Sequence, residues 1–223
     1  MAVTRRCSIK GTYGGHWQCV SKCSNQRYVK LAVPQGKLLS FEQLYKQLEA
    51  LPENQVGEII NGSLHANPRP SGPHGRAASV LGMLIGNPFD IGSGGPGGWW
   101  IIFELELHFN EQVLVPDIAG WRHETMPEIP QDHRFKVAPD WVCEVLSPST
   151  GKTDRIEKMP IYAKAGVRYL WLADPVLLTL ETYRLVAEQC TLTGSYKDGD
   201  KLSAEPFEAI EIDLSSLWRT TAE

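Results

Sequence analysis

Apolar residues recur at helical spacing after Ser40, where Phe41, Leu44, Tyr45, Leu48 and Leu51 share one stripe. Ser40 with Gln43 three positions on is a capping-box signature, and Pro52 closes the segment. The period then changes. Val56–Ala66 carries Asn61-Gly62 between two apolar-rich arms, a strong hairpin signal. A two-residue turn there pairs Ile59 with Leu64 on one face and Glu58 with His65 on the other. A Pro-rich loop over 67–73 precedes a second predicted helix, roughly His74 to Ile85, with Ala77, Val80, Leu81 and Leu84 on its apolar stripe. Gly92–Gly98 ends in a strand, not a helix, so it reads as a connection and not as a dinucleotide loop.

From Trp99 to Phe109 the chain alternates, with Glu104, Glu106 and His108 opposite the apolar set. Gln112–Ile118 is the returning strand. If Asn110-Glu111 is the turn, 108 pairs with 113 and 104 with 117, which puts Asp117 on the face of Glu104 and Glu106. Pro139–Leu146 is a near-continuous apolar strand broken by Glu144. A helical segment follows from about Asp154 to Ala165, with Pro160 inside it and Gly166 at its end, and then an apolar strand over Arg168–Ala173. Strand, helix and strand predict a parallel pair with a right-handed crossover. Thr179–Val186 and Gln189–Tyr196 read as an antiparallel hairpin, and Leu202–Asp213 as a last strand before a short terminal helix. The pattern predicts one α/β domain with a mixed, mostly antiparallel sheet.

Composition narrows the class. The chain has 223 residues, 42% hydrophobic and 22% charged, which suits a folded core and excludes a mainly disordered polymer. Apolar runs such as Trp99–Phe103 fall far short of a membrane span, which needs about 20 residues. The N-terminal basic residues precede no apolar stretch, so no secretory signal is read and a cytoplasmic location is expected. The net charge of −4 argues against a general polyanion binder, so any nucleic-acid contact has to be a local cationic one. Residues 1–33 lack a sustained period and read as a poorly ordered extension, with residues 34–223 as the domain. Cys7, Cys19 and Cys23 lie in that extension at spacings without a zinc-ribbon pattern, whereas Cys143 reads as a buried small hydrophobe.

The candidate chemistry rests on two acids in apolar strands, Asp117 after Val113-Leu114-Val115-Pro116 and Glu144 within Trp141–Leu146. A buried carboxylate without a partner is costly, so each needs a cation, a hydrogen-bonding shell or a cleft. Carboxylates on adjacent strands form an oxygen site suited to Mg²⁺ or Mn²⁺. Lys152, Arg155 and Lys158 follow, and on a helix Asp154, Lys158 and Tyr162 align at four-residue spacing. Two structural ion pairs beneath a helix account for the same residues equally well on spacing alone.

The segments "VLVPDIAGWR", "PDWVCEVLSPST" and "DRIEKMPIYAKAGVRYLWLADP" resemble the Uma-two family of restriction endonucleases, in the PD-(D/E)XK nuclease superfamily. "LPENQVGEIINGSLHANPRP" and "GGPGGWWIIFELELHF" are similar to it as well, so the resemblance spans roughly residues 38–218. It implies a restriction-endonuclease-like fold, a central mixed β-sheet flanked by helices. It implies a Mg²⁺- or Mn²⁺-dependent endonuclease that hydrolyses DNA phosphodiester bonds, the alternative being a catalytically weak or inactive member that binds nucleic acid or protein. Asp117 and Glu144 match the family's metal-binding and catalytic acids. Leu146 stands where the superfamily places its lysine, and Lys158 on the following helix is the relocated candidate. Glu58 and Glu106 match recurrent acids and are accessory candidates. His74 falls at a position where members carry a histidine, and its place in the chain reads as a helix N-cap or surface residue. The implied partner is nucleic acid, with no membrane, and a homodimer is a further expectation.

Overall fold

The structure is a computed structural model that describes residues 39–219 and 221, within the unit Leu38–Glu223. The extension 1–33, with Cys7, Cys19 and Cys23, lies outside the described residues. Helix α1 (Phe41–Glu49) starts at the expected capping box: the Ser40 hydroxyl accepts from Gln43 N–H, and Gln43 Oε1 accepts from Ser40 N–H at 3.0 Å. Its buried Leu44 and Leu48 pack on Ile59 and Val113. Strands β1 (Gln55–Ile60) and β2 (Ser63–Pro68) form the expected hairpin, with Glu58 opposite His65 and Ile59 opposite Leu64. The turn residues Asn61 and Gly62 take φ of 50° and 75°, a combination these two residue types tolerate.

Helix α2 (Gly72–Phe89) is longer than its apolar stripe predicts. Pro73 sits in the first turn, where no intrahelical N–H is needed, and buried Phe89 anchors the last turn against Phe207 at 4.6 Å. Gly82 lets α2 close on the sheet, since a Cβ there would lie 2.1 Å from the Phe103 ring.

The alternating run 99–109 is two strands, not one: β3 (Trp99–Phe103) and β4 (Glu106–Phe109). Glu104 adopts φ 46°, which breaks the pleat and sends the halves into different sheets. The returning chain breaks likewise into β5 (Gln112–Leu114) and β6 (Ile118–Arg122). The register survives the break. His108 pairs with Val113, Phe103 pairs with Ile118, and Glu104 N–H donates to the Asp117 carbonyl at 3.3 Å.

Strand β7 (Arg134–Phe135) runs parallel to β4. Strand β8 (Trp141–Val145) leads into one helical segment in three registers: α3 (Gly151–Thr153), a π-turn over Asp154–Lys158, and α4 (Met159–Ala165), closed by Gly166 at φ 85°. Strand β9 (Tyr169–Asp174) then pairs parallel to β8, as expected from the crossover. β10 (Thr179–Val186) and β11 (Gln189–Lys197) form the predicted hairpin with a bulge at Thr182/Tyr183. The expected last strand is instead a small ladder of β12 (Lys201–Leu202) and β13 (Ile212–Asp213), because Phe207 between them turns into the core. Helix α5 (Ser215–Trp218) follows.

The sheet is therefore split: β2-β1-β5-β4-β7 and β11-β10-β9-β8-β6-β3, a mixed α+β architecture flanked by helices. One face of the larger sheet buries Trp99, Trp141 and Trp171 around Phe207, with ring centroids 4.9–5.7 Å apart. The other carries Trp121, Val142, Leu170 and Leu172 against Tyr162 of α4. Each large apolar side chain fully buried here contributes on the order of 1.5–3 kcal/mol. Cys143 lies in the first of these layers, as expected of a small hydrophobe. Among the described residues no helix is long and apolar enough to cross a membrane.

Candidate active site

The split between the sheets opens a cleft of about 270 Å³. Its floor is built from Glu58 on β1, Asp117 before β6, Glu144 on β8, and Asp154 and Lys158 on the π-turn. Lys158 Nζ lies 2.9 Å from Glu58 Oε1, 2.8 Å from Glu144 Oε1 and 3.2 Å from Asp154 Oδ1. The Tyr162 hydroxyl also donates to Glu144 Oε1, at 2.5 Å. Glu58 Oε1 accepts from Val115 N–H at 2.9 Å, in the link between β5 of the smaller sheet and β6 of the larger. Asp117 Oδ2 accepts from Val145 N–H at 2.7 Å, which ties it to the residue after Glu144, and its Oδ1 lies 3.4 Å from His74 Nε2.

The π-turn explains how one short segment supplies so much of the floor. Pro160 has no N–H to return to the carbonyl four residues back, and its ring crowds that carbonyl. The ladder widens ahead of it, and Met159 N–H donates to the Asp154 carbonyl five residues earlier. Asp154, Lys158 and Tyr162 then point the same way, into the cleft floor.

Electrostatics favour a cation beyond Lys158. Glu58, Asp117, Glu144 and Asp154 are four carboxylates around one ammonium and His74. Burial pushes Asp117 up to about 6, against the opposing pull of His74 and the Val145 N–H. Burial also raises Glu144 and Asp154, with Lys158 acting the other way in both. Burial would lower Lys158, but Glu144, Glu58 and Asp154 reverse this and hold it well above the ordinary lysine value, as an ammonium. Tyr162 is raised by burial and by Glu144, so it remains a donor.

Glu144 Oε2 accepts no hydrogen bond among the described residues, and Asp117 Oδ1 has only the 3.4 Å approach of His74. Two hard oxygens and surplus negative charge fit Mg²⁺ or Mn²⁺, which bind through one or two carboxylates and keep several waters. Among the described residues no three His, Cys, Asp or Glu side chains form a ready-made cage, and the two-carboxylate arrangement needs none.

Four of the five residues singled out from the sequence converge here: Asp117, Glu144, Lys158 and Glu58. Glu106 does not. It faces Tyr45, whose hydroxyl donates to it at 3.0 Å, and His108 at 2.9 Å, outside the cleft lining. The reason is the turn at Glu104, which resets the alternation so that 104 stays with Asp117 while 106 leaves. Among the basic rivals, Lys152 and Arg155 lie on a neighbouring surface groove, with Arg155 paired to Glu181, and only Lys158 reaches the acids. His74 is neither an N-cap nor a surface residue. It is buried in the first turn of α2, with Nδ1 unpartnered. Asp154 and Tyr162 are the further members of the cluster, and their four-residue spacing around Lys158 is the signal that marks them.

The fold and cleft define a nuclease-like α+β protein. The Uma2 family model, described as "Putative restriction endonuclease", matches residues 41–215, and the chain belongs to that family. Among solved structures it is similar to "a putative nuclease belonging to DUF820" from Anabaena variabilis ATCC 29413, with 24% identity, a TM-score of 0.65, and coverage of 81% of this chain and 97% of that one. That likeness bears on the fold. No curated protein matches the chain.

Proposed function

We propose that the chain is a divalent-metal-dependent endonuclease that hydrolyses phosphodiester bonds of DNA. The observation that supports this best is the excess of buried carboxylate over ammonium at the base of an open cleft, in a member of this family. Asp117 and Glu144 would hold Mg²⁺ or Mn²⁺ through their less engaged oxygens. The chemistry supplied there by the bound ion is polarisation of the phosphodiester and acidification of a water.

The chain's own residues fix the geometry. Val145 N–H and Tyr162 O–H each hold one carboxylate oxygen, of Asp117 and Glu144, and leave the other less engaged. Lys158 directs its three donors at Glu58, Glu144 and Asp154. It therefore acts by orienting the acids and by its positive field next to the developing phosphate charge.

Cleavage of a panel of duplex and single-stranded DNA and RNA by the purified chain tests the proposal. With Mg²⁺ or Mn²⁺, DNA should be cut, and chelation, Asp117→Ala and Glu144→Ala should each stop it. Calorimetric Mn²⁺ binding should be lost in the same two variants. A wild-type chain that cuts no DNA with either metal would overturn the reading in favour of a binding module.

A further inference from the structure

We propose that Arg69 and Glu104 form a phosphodiester subsite at the mouth of the cleft, in which Glu104 is an internal carboxylate that a phosphate of the nucleic acid displaces from Arg69. This rests on the reading of the cleft as a nucleic-acid site. Both residues line the cleft, and unlike the buried floor their side chains are open, 55% and 45% exposed. Arg69 is the exposed cation of that lining, since Lys158 and His74 are buried.

The arginine is built to present one edge. Its Nε and Nη2 donate to the Glu53 carbonyl at 3.2 and 3.0 Å, which fixes the guanidinium plane against the start of the first hairpin. The outer edge, Nη1 with the second N–H of Nη2, faces the mouth. There it meets Glu104 Oε2 at 3.5 Å, the limit of a hydrogen bond. An exposed ion pair of that length contributes about 1 kcal/mol or less. A phosphate can take the same edge with two parallel charge-assisted bonds.

Glu104 is held at the mouth against its own backbone preference. Its φ of 46° is costly for a side chain that is not Gly, Asn or Asp. Its N–H donates to the carbonyl of Asp117 at 3.3 Å, so the strained residue is joined to the proposed metal ligand across the sheet break. A carboxylate in this position repels an incoming anion and occupies its partner until it swings aside. Glu104 thereby sets how strongly a phosphodiester must bind to enter.

The test is binding, read apart from cleavage. The full chain is titrated with a short fluorescein-labelled DNA duplex in EDTA, and anisotropy is followed. Arg69→Gln should weaken binding about fivefold or more, as expected for a lost charged hydrogen bond. Glu104→Gln should tighten it about two- to fivefold, the scale of an exposed ion pair. In the Arg69→Gln background the Glu104→Gln gain should vanish. Glu111→Gln, the same charge change on the β4–β5 turn, should give a smaller gain than Glu104→Gln. An unchanged affinity in Glu104→Gln, an equal gain without Arg69, or a wild type that binds no duplex overturns the subsite. A duplex bound with this pattern but left uncut in Mg²⁺ removes the nuclease reading alone. One cut in Mg²⁺ but bound with no dependence on Arg69 removes the subsite alone.

Discussion

Two polar clusters sit on the smaller sheet and its border, and in each a tyrosine hydroxyl donates to a glutamate beside basic side chains. In one, Glu58, Glu144 and Asp154 surround Lys158, with Tyr162 closing the group. In the other, Glu106 gathers Tyr45, His108 and His133, with the Tyr45 hydroxyl 3.2 Å from His133 Nε2. The difference is burial and charge balance. The Lys158 and Glu144 side chains are 4% and 3% exposed, whereas Glu106 is 23% and its partner His133 is 66% exposed. The first cluster has more carboxylates than its ammonium can neutralise, in a place water hardly reaches. The second has a single carboxylate, shared among Tyr45, His108 and His133. A carboxylate becomes a candidate ligand when its charge is buried and left over, not merely when it is hydrogen-bonded.

The strongest way to break this contrast is Lys158→Ala. Removing the one ammonium leaves Glu58, Glu144 and Asp154 facing one another, a change of about 3–5 kcal/mol for a buried pair that loses a partner. Urea unfolding in a chelator should show that loss, and saturating Mn²⁺ should return part of it by placing positive charge nearby. A loss below about 1 kcal/mol would mean the cluster behaves like a surface network after all.

Asp117 gives a pH signature of the same surplus. Its value of about 6 lies above the ordinary 3.8, so the native fold holds this proton more tightly than the unfolded chain does. Stability from this group is therefore full below about 3.8, falls as pH rises, and is gone above about 6, a span of about 3 kcal/mol. Asp117→Asn should gain stability over the wild type at pH 7 in a chelator, and the two should converge near pH 4. Melting midpoints across that range check it, since each kcal/mol moves the midpoint by about 2–4 °C at this size. An advantage for Asn that stays constant with pH would show that Asp117 is not held up by burial.

The smallest effect belongs to the Glu106 cluster. Tyr45→Phe and Glu106→Gln should each cost about 0.5–1.5 kcal/mol, the worth of an ordinary hydrogen bond, and should leave DNA cleavage in Mg²⁺ at the wild-type rate. Loss of cleavage in Glu106→Gln would return that acid to the site and dissolve the contrast.

Much of this was legible before any coordinates. Asn61-Gly62 fixed the register that turns Glu58 away from Ile59, and the polar interruptions at Asp117 and Glu144 stood out against apolar strands. Parallel pairing of β8 and β9 followed from the helix between them. Other features lay below what periodicity can report. Alternation from 99 to 109 is unbroken in residue type, because a single φ at Glu104 changes direction without changing the pattern. Alternation alone therefore places Glu106 beside Asp117, where the structure does not. His74 looks like a polar residue at a helix start, and only the tertiary fold buries it beside Asp117. The choice among Lys152, Arg155 and Lys158 depended on helical phase, which Pro160 left open.

That phase makes the segment tolerant of length in a way its composition hides. The π-turn holds one more residue than an α-helical ladder would need, and Ile156, 67% exposed, touches little of the core. Substituting Ile156 should be nearly silent. Deleting it removes that extra residue. The ladder then closes in regular α-helical register with Asp154 three residues before Lys158, still on the face of Lys158 and Tyr162, because three- and four-residue spacings both bring helix side chains together. The gathering of acids around the lysine should therefore survive a segment one residue shorter, and a homologue with that deletion should still build the same floor. The widened turn is thus a place where chain length can vary while the cleft chemistry is kept.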